Sequence, residues 1–135
     1  MRDSNNVFHL AIPCNDLDEA YEYYVTKLGC MLARRYNDRI TLNFFGDQLV
    51  CHKYPEKTTK DQDLEMYPRH AGITFYKEKD FNNLIKLAEN RGLTFYEKLF
   101  TRFEGTTEEH KSFFLIDPSN NLLEFKYYND PRMMY

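Results

Sequence analysis

Four side chains of metal-ligand type stand out along the chain: His9, His52, His70 and Glu124. His9 lies in Val7-Phe8-His9-Leu10-Ala11-Ile12, and His70 opens His70-Ala71-Gly72-Ile73-Thr74-Phe75-Tyr76. Apart from the histidine, each stretch is apolar enough to form a buried strand. Strand alternation puts Phe8, Leu10 and Ile12 on one face and His9 and Ala11 on the other; Ala71, Ile73 and Phe75 likewise oppose His70, Gly72 and Thr74. Glu124 stands between Leu123 and Phe125, where a carboxylate is partly desolvated and needs a partner. Neutral imidazoles offer lone pairs but no positive charge, and a divalent cation supplies it. Two histidines and a carboxylate with open positions suit non-haem Fe(II) and are tolerated by Zn, Mn or Ni. The plainer alternative pairs Glu124 with Lys126, two residues on along the same face, an exposed-strand arrangement that sits poorly with the apolar neighbours. His52 is a fourth ligand, an outer hydrogen-bond donor or simply an inward-facing residue, and Gln48 on the same strand face can substitute for it.

The elements that must carry these residues occur twice. After the first strand, Asp16 followed by Glu19 resembles a capping box, and Leu17, Ala20, Tyr21, Tyr24 and Leu28 recur at helical spacing until Gly29. Strands follow at about Cys30 to Arg35, Arg39 to Phe45 and Gln48 to Lys53, with turns at Asn37-Asp38 and Gly46-Asp47. A charged stretch from Glu56 to Glu65, closed by Pro68, leads to the second strand that opens with histidine. Asp80 can cap a helix bearing Phe81, Leu84, Ile85 and Ala88, ended by Gly92. Strands then run at about Thr94 to Phe103, Lys111 to Ile116 and Leu122 to Tyr128, with a strong turn at Asp117-Pro118-Ser119-Asn120-Asn121. The expected fold is α+β: paired β-α-β-β-β modules, about 7–54 and 69–129, joined by a linker of about 55–68 in one domain spanning 1–135. Their strands are expected to form a curved mixed sheet around a metal or ligand cavity. In that arrangement His9 and His52 mark the first and last strands of one module, and His70 and Glu124 those of the other.

With 135 residues, 42% hydrophobic and 16% aromatic, the chain can bury a real core and is too apolar for disorder. The formal charge of −3 and the scattered basic residues argue against a nucleic-acid partner. No run approaches a membrane span, so the expectation is no membrane partner and a cytoplasmic location. Cys14, Cys30 and Cys51 have no zinc-type spacing and suit a reducing compartment as free thiols. His110, beside Glu108 and Glu109, is a candidate acid/base or substrate contact near the metal, or a solvated loop end. Arg34, Arg35 and Arg39 could clamp an anionic group, or form a solvated edge.

Two segments carry a family resemblance. Phe8-His9-Leu10-Ala11-Ile12-Pro13 followed by Asp16-Leu17 looks like the opening strand and helix of the vicinal oxygen chelate superfamily, which holds glyoxalase I, extradiol ring-cleaving dioxygenases and bleomycin-resistance proteins. Asp117 to Glu124 looks like its closing DP-x-G-x-x-x-E segment, with Asn120 where glycine is usual. The resemblance spans Val7 to about Tyr128 and implies that His9, His70 and Glu124 are metal ligands. His52 lies on the strand that carries a glutamate ligand in bacterial glyoxalase I, so one member of that four-ligand set is missing. The resemblance therefore implies a metal-dependent enzyme acting on a small oxygenated substrate chelated through two adjacent oxygens, extradiol-dioxygenase-like, with Fe2+ favoured over Zn2+, Ni2+ or Mn2+. It offers Glu124 and His110 as catalytic groups, with Tyr96 a possible companion, and implies a homodimer. The alternatives it implies are a glyoxalase-like lyase or isomerase, in which Glu124 also shuttles a proton, and a non-enzymatic small-molecule binding protein like the bleomycin-resistance members.

Overall fold

The computed structural model describes residues 3, 5–54 and 64–135. Most of the charged stretch expected as a linker lies outside the described residues. The chain divides into two compact units, Met1–Asp63 with Pro118–Asn121, and Leu64–Asp117 with Leu122–Tyr135. Each contains one β-α-β-β-β run, as expected, and the strands form two four-stranded mixed sheets, one in each unit.

In the first unit, β1 (His9–Cys14) is followed by α1 (Leu17–Tyr21), β2 (Met31–Arg35), β3 (Arg39–Phe44) and β4 (Asp47–Lys53), in sheet order β1-β4-β3-β2. β1 runs parallel to β4, and the other two pairings are antiparallel. Asp16 caps α1 by accepting from the backbone N–H groups of Asp18 and Glu19 at 2.7 and 3.0 Å. Those same bonds hold its carboxyl below the usual carboxylate range. The spacing predicts a uniform α-helix to Leu28; instead Glu22–Lys27 forms a π-helical turn, with the Leu28 N–H donating to the Tyr23 carbonyl at 2.8 Å. The wider turn brings both Tyr23 and Tyr24 into the core beside Leu17, Ala20 and Leu28. Ile40, Leu42, Leu49 and Cys51 bury the facing side of the sheet.

The β3–β4 turn falls one residue earlier than expected, at Phe45-Gly46. Both have positive φ (53° and 97°), and the Gly46 N–H donates to Asn43 Oδ1 at 2.8 Å, as a two-residue hairpin of the primed type requires. Asp47 is thereby released to open β4, where its Oδ1 accepts from the Phe8 N–H at 2.7 Å. The segment Pro118–Asn121 belongs to this unit: Ser119 Oγ accepts from the Asn15 N–H and Asn121 Nδ2 donates to the Pro13 carbonyl, both at 2.9 Å. Asn120 has φ +63°, a left-handed conformation that explains why the resembled segment has glycine there and why asparagine is a workable replacement. Asn120→Val is expected to cost roughly 1–2 kcal/mol in urea unfolding, and Asn120→Gly less than about 0.5 kcal/mol.

In the second unit, β5 (Ala71–Phe75) leads to α2 (Glu78–Asn90), β6 (Phe95–Arg102), β7 (His110–Ile116) and β8 (Leu122–Tyr128), in sheet order β5-β8-β7-β6. The helix starts earlier than expected. Its N-cap is Lys77, which makes no side-chain capping bond, and Asp80 lies in the first turn, where its charge favours the positive end of the helix dipole. Phe81, Leu84 and Ala88 are buried. Phe81 meets Phe113 with ring centroids 5.4 Å apart, and Phe113 stacks on Phe125 at 5.3 Å. These aromatics fill one face of the sheet, and Ser112, Glu124 and Lys126 lie on the other. A 3-10 turn, Pro131–Met134, ends the chain. No helix among the described residues is long and apolar enough to cross a membrane.

Candidate functional site

The polar face of the second sheet is built by ladder register. Glu124 pairs with Gly72 on β5 and Phe114 on β7; one step along the same face, Lys126 pairs with Thr74 and Ser112. Side chains of directly paired residues project from the same face, so Glu124, Lys126 and Ser112 share it. Glu124 is only 5% exposed, and both its oxygens are engaged. Ser112 Oγ donates to Oε1 at 2.7 Å. Oε2 lies 3.1 Å from His70 Nε2 and 3.3 Å from Lys126 Nζ. The Lys126 pairing set aside as an exposed-strand arrangement is therefore present around a buried carboxylate. The counter-charge at Glu124 comes in part from the chain itself.

His70 is oriented from its other nitrogen. Nδ1 lies 2.6 Å from the Met66 carbonyl, which can only accept, so Nδ1 carries a proton. Tyr67 and Phe114 set their rings edge-on to the imidazole at 5.4 and 5.3 Å. Nε2 thus faces Oε2 across 3.1 Å, a gap that a proton or a metal ion can bridge. Ligand bonds of about 2.1 Å meeting at a right angle put donor atoms about 3 Å apart, which is the spacing found here. The orientation of a ligand histidine by a backbone carbonyl, and of a ligand carboxylate by a hydroxyl, is the usual outer support of a metal site. His70 and Glu124 therefore fit a divalent cation, with Lys126 competing for the same oxygen. Among the described residues no three His, Cys, Asp or Glu side chains gather as a metal-holding group.

The first sheet differs in its register. His9 pairs with Gln48, and Gln48 with Asn43, so these three side chains lie abreast. Ala11, two residues after His9, pairs with Val50, just as Gly72, two residues after His70, pairs with Glu124. Val50, not His52, is therefore the counterpart of Glu124. His52 pairs with Pro13 and Arg39 and corresponds to Lys126 in the other unit. It lies four residues along β4 from Gln48, about 13 Å at 3.3 Å per residue, too far to share an ion with His9. Adjacent strands carry no hint of this two-residue offset in sequence, because alternation fixes the face of a residue and not its row.

His110 is buried and on the same face as Glu124, but its row is that of Tyr128, four residues from Phe114 along β7 and about 13 Å from the Glu124 row. Its Nδ1 donates to the Glu108 carbonyl at 2.9 Å, and its ring lies 4.5 Å from that of Tyr128. Tyr96 donates its hydroxyl to the Leu64 carbonyl at 2.8 Å. Of the arginines, Arg35 pairs with Asp18, while Arg39 pairs with Asp38 at 2.8 Å and stacks over Tyr36. Two partners of the site went unread in the sequence. Ser112 alternates with Lys111 and Phe113 and could have been placed opposite β8 by strand pairing; the Met66 carbonyl, in the segment before β5, gives no sequence signal.

Comparison with known proteins agrees with this architecture. Residues 6–125 match the family described as Glyoxalase/Bleomycin resistance protein/Dioxygenase superfamily. A crystal structure of a glyoxalase/bleomycin resistance protein/dioxygenase from Alicyclobacillus acidocaldarius is 68% identical, with a TM-score of 0.93 and 100% of both chains covered. The glyoxalase domain-containing protein RDO1 of Mycosarcoma maydis is 26% identical over 92% of this chain and 69% of its own length. The fosfomycin resistance protein FosX of Listeria monocytogenes shares the fold at 11% identity, with a TM-score of 0.70 over 96% of this chain and 98% of its own. With the family match extending over both β-α-β-β-β units and the fold repeated in the Alicyclobacillus acidocaldarius structure, the chain belongs to the Glyoxalase/Bleomycin resistance protein/Dioxygenase superfamily.

Proposed function

We propose that this protein is a metal-dependent enzyme of the extradiol-dioxygenase type, acting on a small substrate that presents two adjacent oxygens. The observation that carries this reading is the buried Glu124 carboxylate aimed at Nε2 of a histidine oriented through its other nitrogen, at ligand-like spacing. The family resemblance of the opening strand implies His9 as the third protein ligand. Fe(II) held by two histidines and one carboxylate supplies Lewis acidity toward the substrate oxygens and redox chemistry with O2. The chain's own contributions are distinct. Met66 fixes the His70 ring, Ser112 fixes Glu124 Oε1, and burial of Glu124 keeps bulk water from the carboxylate. Val50 at the place corresponding to Glu124 means that the first sheet offers no second carboxylate there, which favours a three-ligand set over the four-ligand set of a glyoxalase-like lyase.

A second reading has one observation in its favour. Lys126 already partners Glu124, so a metal-free binding protein is chemically complete. Oxygen consumption separates the readings. Protein loaded anaerobically with Fe(II) is expected to consume O2 with catechols, with a new absorbance from the ring-opened product. Metal uptake without oxygen consumption across a catechol panel would favour a lyase, and uptake of aromatic ligands without any metal would favour the binding protein.

A further inference from the structure

We infer that Lys126 is a built-in counter-ion of the metal-free site, which a divalent cation must displace to bind. The inference rests on the assignment of His70 and Glu124 as metal ligands. Its basis is the division of labour at one carboxylate: Oε1 is held by the neutral Ser112 hydroxyl, whereas Oε2 is shared by His70 Nε2 at 3.1 Å and Lys126 Nζ at 3.3 Å. A cation bound between Nε2 and Oε2 would share that oxygen with an ammonium inside a site where Glu124 is 5% exposed, and at such low local dielectric like charges repel strongly. The two donors differ in their freedom to leave. Ser112 is fully buried on a short side chain, while the Lys126 side chain is 30% exposed and ends a flexible four-carbon stem. The ammonium can therefore swing into water without disturbing Ser112.

Two consequences follow that a purely structural salt bridge would not produce together. The metal-free protein keeps its buried carboxylate partnered, so it stays folded without metal. Metal affinity is also held below what the ligand set alone would give. The row correspondence strengthens the assignment, because the place of Lys126 in the first unit is taken by His52, where the neighbouring row holds Val50 and has no carboxylate to neutralise.

The test is Mn(II) binding by calorimetry, together with thermal unfolding of metal-free protein, for wild type, Lys126→Met, Lys126→Gln and Lys126→Arg. Removing the charge is expected to tighten Mn(II) binding roughly tenfold in the Met and Gln variants, to lower the metal-free thermal midpoint, and to let Mn(II) restore it. Lys126→Arg, which keeps the charge, is expected to bind Mn(II) no more tightly than wild type. Wild-type binding with no gain in either neutral variant overturns the displacement and leaves the ligand assignment standing. Absence of Mn(II) binding in wild type and both neutral variants overturns the ligand assignment and the displacement with it, and the metal-free midpoints then report only the ion pair.

Discussion

Glu124→Gln is expected to weaken divalent-metal binding by more than about 100-fold, whereas Ser112→Ala weakens it by about 10- to 100-fold, the range over which outer partners act. The amide keeps the shape of the side chain and can still meet Ser112, but it removes the charge that draws a cation to Oε2. Ser112→Ala leaves the charge and frees the carboxylate to rotate away from His70. The order of the two effects is therefore fixed by chemistry: loss of a ligand exceeds loss of its orientation. Metal titration of both variants, read by calorimetry, checks the order. A Glu124→Gln variant that binds as tightly as wild type would remove the carboxylate from the site.

Gly72→Ala is expected to destabilise the second unit by about 3 kcal/mol or more and to lower its thermal midpoint by about 10 °C. A Cβ at Gly72 would stand 1.6 Å from the Glu124 carbonyl oxygen and 2.9 Å from its backbone nitrogen. No side chain can move aside, because the obstacle is the partner strand. β5 must part from β8 at the row that holds Glu124, and the stability loss should therefore be accompanied by a metal-binding defect. Gly72 thus joins fold and site: the closeness of two backbones sets where the carboxylate begins. Thermal unfolding and Mn(II) titration on the same preparation check both. An alanine variant with an unchanged midpoint would show that the two strands lie farther apart than described.

The division into two β-α-β-β-β units was legible because hydrophobic period and turn residues mark every strand, and β8 falls at Leu122–Tyr128 as the pattern predicts. What pattern could not supply was row. Alternation placed Glu124 and Lys126 on one face, but only pairing brings His110 onto that face and sets it four residues from the Glu124 row, and only pairing places Val50 where His52 was expected. The π-helical turn after α1 was equally unreadable, since one added residue in a turn leaves the apolar spacing nearly helical. A buried carboxylate does need a positive partner, but the pairing with Lys126, set aside as an exposed-strand arrangement, supplies one here, because the lysine stem reaches back along the same face to a carboxylate that is itself buried. Likewise, Asp80 has the right residue type for a cap but begins three residues too late for one.

The most direct test is elemental analysis of wild-type protein purified without added metal, alongside His70→Ala and Glu124→Ala. The account predicts about one equivalent of a divalent transition metal per chain in wild type, iron foremost, falling to background in each variant. Wild type free of metal even after anaerobic exposure to Fe(II), or variants that retain the wild-type content, would contradict it.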